Sequence, residues 1–134
     1  MSEPNLTVVF AVFPGVTQLD FTAPHQVFSM LPGTEVIVAS TEGGTLTGSG
    51  LTFAGLRRLA DIPACDVICV PGGYGATDIA AQVAQHAFGA LKSPIKMVTP
   101  PHTPVPFAPE LEDLYVPNAA KIEAATAEAV RYAA

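Results

Sequence analysis

The chain has 134 residues, 49% of them apolar, enough to close one compact core. Its net charge of −6, with Arg57-Arg58 the only adjacent bases, argues against nucleic acid as a partner. No apolar run reaches the roughly 18 residues of a membrane span, and Met1-Ser2-Glu3-Pro4-Asn5 lacks the basic start and apolar stretch of a secretion signal, so a cytoplasmic protein without a membrane partner is expected.

Leu6 to Phe13 is a continuous apolar run closed by Pro14-Gly15, as a central strand buried on both faces would be. Thr17 with Asp20 three residues on has the spacing of a capping box, and Leu19, Val27, Met30 and Leu31 supply a helical stripe up to Pro32-Gly33. Glu35 to Ser40 reads as a second strand. Thr45 to Thr47 and Leu51 to Phe53, separated by Gly48-Ser49-Gly50, read as a small hairpin. Asp66 to Val70 is the third main strand, running through Pro71-Gly72-Gly73-Tyr74-Gly75 into a helix whose Ile79, Val83, Ala87 and Leu91 recur at helical spacing. Ser93-Pro94 ends that helix, and Ile95 to Thr99 reads as a fourth strand. Pro100, Pro101, Pro104, Pro106 and Pro109 then predict a long extended connection. Asn118 is a good N-cap for a last helix carrying Ile122, Ala125, Ala129 and Val130.

Strands alternating with helices predict an α/β fold: a three-layer α/β/α sandwich, flavodoxin-like, with a mostly parallel sheet of about four strands in order 2-1-3-4 plus the hairpin. A single α/β domain over residues 1–134 follows from the lack of any linker or repeat.

Cys65 and Cys69 lie four apart at a strand, too far for a disulfide, and they lack the CxxC spacing of a zinc or redox pair. His25, His86 and His102 share no ligand spacing, so neither a metal nor a cofactor is expected. The Gly72 to Gly75 turn sets backbone N–H groups beside a helix N-terminus, where a weakly held anion could sit; turn geometry alone also accounts for these glycines.

Phe13-Pro14-Gly15-Val16-Thr17-Gln18-Leu19-Asp20-Phe21-Thr22-Ala23-Pro24 and Asp66-Val67-Ile68-Cys69-Val70-Pro71-Gly72-Gly73 resemble, in order and separation, motifs of the ThiJ/PfpI superfamily and within it the isonitrile hydratases. The resemblance covers residues from about 6 to 73. It implies a nucleophilic cysteine on a strand-to-helix elbow, an acid in the first helix and N–H donors from the Pro-Gly-Gly turn. Asp20 matches the acid, and Gly72 and Gly73 match the donors. The cysteine, expected after Ile95 to Thr99, is missing: Pro100-Pro101-His102-Thr103 stands there. An acid and an oxyanion pocket without a nucleophile have nothing to activate.

From about Gly73 to Val130 a second resemblance takes over. Gly73-Tyr74-Gly75-Ala76, Pro94-Ile95-Lys96-Met97-Val98-Thr99, Thr103-Pro104-Val105-Pro106-Phe107-Ala108, Leu111-Glu112 and Leu114-Tyr115-Val116-Pro117 resemble the C-terminal transketolase-type domain of β subunits of thiamine-diphosphate-dependent 2-oxoacid dehydrogenases. That likeness implies subunit support, dimer contacts and, in some complexes, docking of an acyltransferase subunit. The thiamine-binding parts are not in this chain.

Two resemblances that meet near residues 71–75 imply a recombined or designed chimera, with a spliced natural fragment as the other reading. Asp20 is then either a vestige of the family's acid or only the N3 member of a capping box. His102 is either near the lost nucleophile or a solvated loop residue. Phe107, Leu114 and Tyr115 are either a contact surface or packing of the connection. A scaffold without enzymatic activity is expected, with an interaction module, a homodimer, residual isonitrile hydratase-like or amidase-like hydrolysis, and a Cys69-dependent enzyme as the alternatives.

Overall fold

The computed structural model describes residues 6–48, 50–100, 106 and 108–133; Met1 to Asn5, Ser49, Pro101, His102, Pro104 and Phe107 are among those outside. The chain is described as two compact units, Met1–His86 and Ala87–Ala134. The turn at which the resemblance changes lies inside the first unit.

In the first unit, β1 (Leu6–Ala11) is the buried centre of the sheet, with Val8, Val9 and Phe10 at most 1% exposed. It pairs in parallel with β2 (Thr34–Ser40), Val8 beside Val36 and Phe10 beside Val38. On its other side lies β5 (Val67–Cys69), also parallel, with Phe10 beside Cys69. The hairpin strands are β3 (Gly44–Gly48) and β4 (Leu51–Arg58). β4 is long enough to do two things: it pairs antiparallel with β3, and its end joins β2 in parallel through Ala39 with Arg57 and Ser40 with Arg58. The sheet is therefore mixed and five-stranded, in order β3-β4-β2-β1-β5.

This corrects the expected sheet in two ways. The 2-1-3 order of the main parallel strands is found, but the hairpin is part of the sheet, because β2 offers a free edge and buried Leu56 fixes β4 against the core. Ile95 to Thr99 forms no strand. An apolar run becomes a strand only where a neighbour supplies ladder hydrogen bonds, and here Ile95 and Met97 are left exposed.

The pleat of β1 sends alternate side chains to two faces. Phe10 meets Phe21 and Phe28 of α1 (Gln18–Ser29) edge-on, with ring centroids 5.7 and 6.0 Å away, and Phe21 meets Phe53 of β4 at 5.2 Å. Each buried ring contributes about 2–3 kcal/mol by area, and each edge-to-face pair about 1 kcal/mol more. Val9 faces the opposite way, with Ile37 and Ala39, under Leu59 and Ile62. The buried stripe of α1 is thus Phe21, Pro24 and Phe28, not the expected Leu19, Val27, Met30 and Leu31, of which Leu19 and Met30 are more than 70% exposed. Phe10 decides this, since aromatic partners at i and i+7 cover it more fully than aliphatic ones would.

After the glycine turn, α2 (Ala76–His86) half-buries Ile79, Ala80 and Val83. It stops at His86, earlier than Ser93-Pro94.

In the second unit a 3-10 turn, Phe88–Ala90, precedes an irregular stretch up to Pro100. Pro109 does not prolong an extended path. It opens α3 (Pro109–Tyr115), at the first helical turn where its missing N–H costs nothing. In α4 (Ala119–Ala133) the Lys121 N–H donates to Asn118 Oδ1 at 3.0 Å, the expected N-cap. The Lys121 ammonium donates to the Leu114 and Val116 carbonyls at 2.6 and 2.9 Å, closing the carboxyl end of α3. Among the described residues of this unit no side chain is fully buried. Among the described residues of the chain no helix is long and apolar enough to cross a membrane.

Candidate functional site

The glycine turn leaves β5 at Pro71 and folds back onto the segment that joins β1 to α1. Val16 and Gly73 form an antiparallel bridge. The Thr17 N–H donates to the Gly72 carbonyl at 2.9 Å and the Tyr74 N–H to the Gly15 carbonyl at 3.2 Å. Gly73 has a φ of +144°, and a Cβ there would strike the Gly15 carbonyl oxygen and the Val16 Cα. Only glycine fits on both counts.

Asp20 stands over this turn. Its carboxylate occupies the place a Cβ on Gly72 would take, so it lies against the Gly72 backbone. The expected capping box is not formed: Thr17 is the N-cap of α1 but makes no side-chain cap bond, and its backbone N–H is turned to Gly72 instead. The carboxylate keeps a favourable place in the first helical turn. The structure thus brings Asp20, Gly72 and Gly73 together. Among the described residues the Gly72 and Gly73 N–H groups have no acceptor. The sequence signal for this meeting was the Pro14-Gly15 pair, whose Gly15, at φ +89°, lets the two loops touch.

The first unit also holds the two cysteines, Cys65 and Cys69. Both thiols are free. Burial in β5 pushes the Cys69 thiol up to about 11, leaving on the order of one molecule in 10⁴ as thiolate at neutral pH. Cys65 is also shifted upward, by desolvation first and by the Asp66 carboxylate second. His102 lies outside the described residues. His25 lies against the rings of Phe10 and Phe21, at 5.6 and 5.0 Å. Among the described residues no three His, Cys, Asp or Glu side chains gather as a metal site would need.

A separate crevice of about 450 Å³ opens beyond the carboxyl ends of β1 and β2, between Val12, Phe13 and Pro14 and the threonines 41, 45 and 47. It includes none of Asp20, Gly72 and Gly73.

Comparisons with known proteins divide close to the turn. The transketolase C-terminal domain family matches residues 68–122, starting within β5. The β subunit of acetoin:2,6-dichlorophenolindophenol oxidoreductase from Cupriavidus necator is 68% identical over 56 residues, which cover 42% of this chain and 17% of that subunit. Its Bacillus subtilis counterpart is 58% identical over 53 residues, 40% and 16% of the two chains. Isonitrile hydratase from Pseudomonas putida is 41% identical over 71 residues, 52% of this chain and 31% of the enzyme. The chain therefore spans less than a third of the length of each of these three relatives. In structure it is similar to Drosophila melanogaster DJ-1beta, with a TM-score of 0.53 at 20% identity over 64% of this chain and 50% of that one. The chain unites a stretch similar to isonitrile hydratase, of ThiJ/PfpI type, with a stretch similar to the transketolase C-terminal domain.

Proposed function

We propose that this chain is a recombined α/β scaffold with no catalytic turnover of its own. The observation that carries this reading is the glycine turn with Asp20 against Gly72, and no cysteine in the sequence after Cys69. Acid and donors without a nucleophile cannot start a covalent reaction. The parallel β2-β1-β5 core, with α1 on one face and Leu59 and Ile62 on the other, supports a flavodoxin-like, three-layer reading of the first unit. An anion at the Gly72 to Gly75 turn would have to share the place with the Asp20 carboxylate, which opposes it by charge. A cytoplasmic location belongs to the same reading. Isonitrile hydration and amide hydrolysis assays are expected to show no turnover above buffer; clear turnover that Asp20→Asn abolishes would overturn the proposal.

A second reading, an interaction module for an acyltransferase subunit, is favoured by the apolar side chains that the transketolase-like half exposes, Leu111 and Leu114 of α3 among them. Calorimetry against an acyltransferase subunit-binding domain tests it, and an absence of heat at high concentration removes it.

A further inference from the structure

The crevice beyond the carboxyl ends of β1 and β2 plays no part in the scaffold reading, yet its walls are fixed. The Val12 N–H donates to the Ala39 carbonyl at 2.8 Å, carrying the parallel ladder one residue past β1. Ser40, 3% exposed, accepts the Gly43 N–H on its hydroxyl oxygen at 3.0 Å. That bond ties down the turn in which Gly43 and Gly44, at φ +69° and +70°, send the chain into β3. The Thr47 and Thr52 hydroxyls share a hydrogen bond of 3.1 Å across the hairpin, which steadies the wall that β3 contributes. A volume of about 450 Å³ lies in the range of small-molecule sites. Open α/β sheets bind their ligands outside the carboxyl ends of the strands.

The lining joins an apolar side, Val12, Phe13 and Leu46, to the hydroxyls of Thr41 and Thr45 and to a single ionised group, Glu42. Among the described residues the Glu42 carboxylate takes no hydrogen bond and no ion pair. Arg58 is near enough to feel its charge, but that guanidinium is engaged by both carboxylate oxygens of Asp61, at 2.9 and 3.3 Å. An anion here would meet Glu42 and a unit with seven acids against two bases. A metal ion would need further ligands, and among the described residues no three such side chains gather. We propose that the crevice binds a small organic monocation, a primary ammonium on a short apolar chain, with its charge on Glu42 and its chain against Val12, Phe13 and Leu46. The three donors of the ammonium then meet carboxylate and threonine oxygens, and the face of the Phe13 ring attracts the cation.

Titration of the full chain with n-pentylammonium at low ionic strength, followed through the backbone amide resonances, tests this, with n-pentanol and pentanoate as neutral and anionic controls of matching length. The expected result is a saturable shift of the Val12, Phe13 and Glu42 to Thr47 amides, with a dissociation constant on the order of 1 mM for a ligand of so few atoms. Pentanol should bind about fivefold more weakly and pentanoate more weakly still, and added salt should weaken the ammonium. Glu42→Gln should weaken the ammonium about fivefold and leave the β1 and β2 resonances in place, a check that the first unit is still folded. Glu42→Lys should reverse the order, so that pentanoate outbinds pentylammonium. The proposal is overturned by the absence of a saturable shift at about ten times that dissociation constant, or by pentanol binding as well as the ammonium. Shifts centred on Asp20 and Gly72 to Gly75 overturn it too, as does an order of affinities that neither variant changes. None of these outcomes depends on turnover, so the scaffold reading stands or falls separately.

Discussion

The two units use similar fractions of apolar sequence to different effect. In Met1–His86, β-branched and aromatic residues fall on a central parallel strand, where Val8, Val9 and Phe10 vanish from solvent. In Ala87–Ala134 the apolar residues sit on a short helix, on an alanine-rich helix and in irregular chain, and stay half exposed. Burial is decided by what lies across from a residue, and a sheet supplies facing surfaces that two short helices cannot.

The sharpest way to break this contrast is to remove the same side chain from each unit. Phe10→Ala should cost about 3–5 kcal/mol in urea unfolding, whereas Phe88→Ala, at 76% exposure, should cost less than about 1 kcal/mol; comparable losses would show that the second unit hides a core. Glycines give a second pairing. Gly73→Ala forces a Cβ into the Gly15 carbonyl at a left-handed φ and should cost about 2–3 kcal/mol, while Gly89→Ala meets nothing within 4 Å and should stay within about 0.5 kcal/mol.

The pH profile sharpens the comparison further. The Cys69 thiol is raised from 9.0 to about 11 by burial, so the unfolded chain ionises first. Its contribution is complete below pH 9.0 and is lost as pH rises to about 11, on the order of 2 kcal/mol in all. Cys69→Val should flatten that part of the profile, and an unchanged slope would mean that β5 is open to water. The smallest effect belongs to the second unit. The Lys96 ammonium holds the Glu128 carboxyl below its ordinary value, by hydrogen bond first and charge second. Whatever the pair contributes is present above the unfolded carboxyl's pKa and is lost as pH falls through the lowered one. In Lys96→Met, the Glu128 resonance should titrate at the ordinary position; no change would show that the pair does not persist in solution.

Much of the first unit was legible in the sequence because its signals are local or strongly patterned. Leu6 to Phe13 has the pattern of a central strand and the Pro-Gly-Gly turn had to end β5; in the second unit, Asn118 had the chemistry of an N-cap. Less legible was whatever depends on a partner distant in sequence. Ile95 to Thr99 has the composition of a strand and yet pairs with none among the described residues. The buried stripe of α1 departs from its aliphatic periodicity because Phe10, on another element, selects the face. Of the candidate site, the residues were legible from a resemblance, but the meeting of Asp20 with Gly72 was not, since the Thr17 to Asp20 spacing serves a capping box equally well. Pro109 was read as a breaker although proline is also a good first residue of a helix.

The bridge between Val16 and Gly73 also sets an order of assembly. β1, α1, β2 and the hairpin can find one another through neighbouring segments, but β5 and its turn must return across nearly the whole first unit to reach β1 and the loop that follows it. Closing so long a loop is slow and comes late. The stretch in which one ancestry gives way to the other is therefore the last part of the sheet to be laid down, and a change there such as Gly73→Ala should slow folding less than it speeds unfolding.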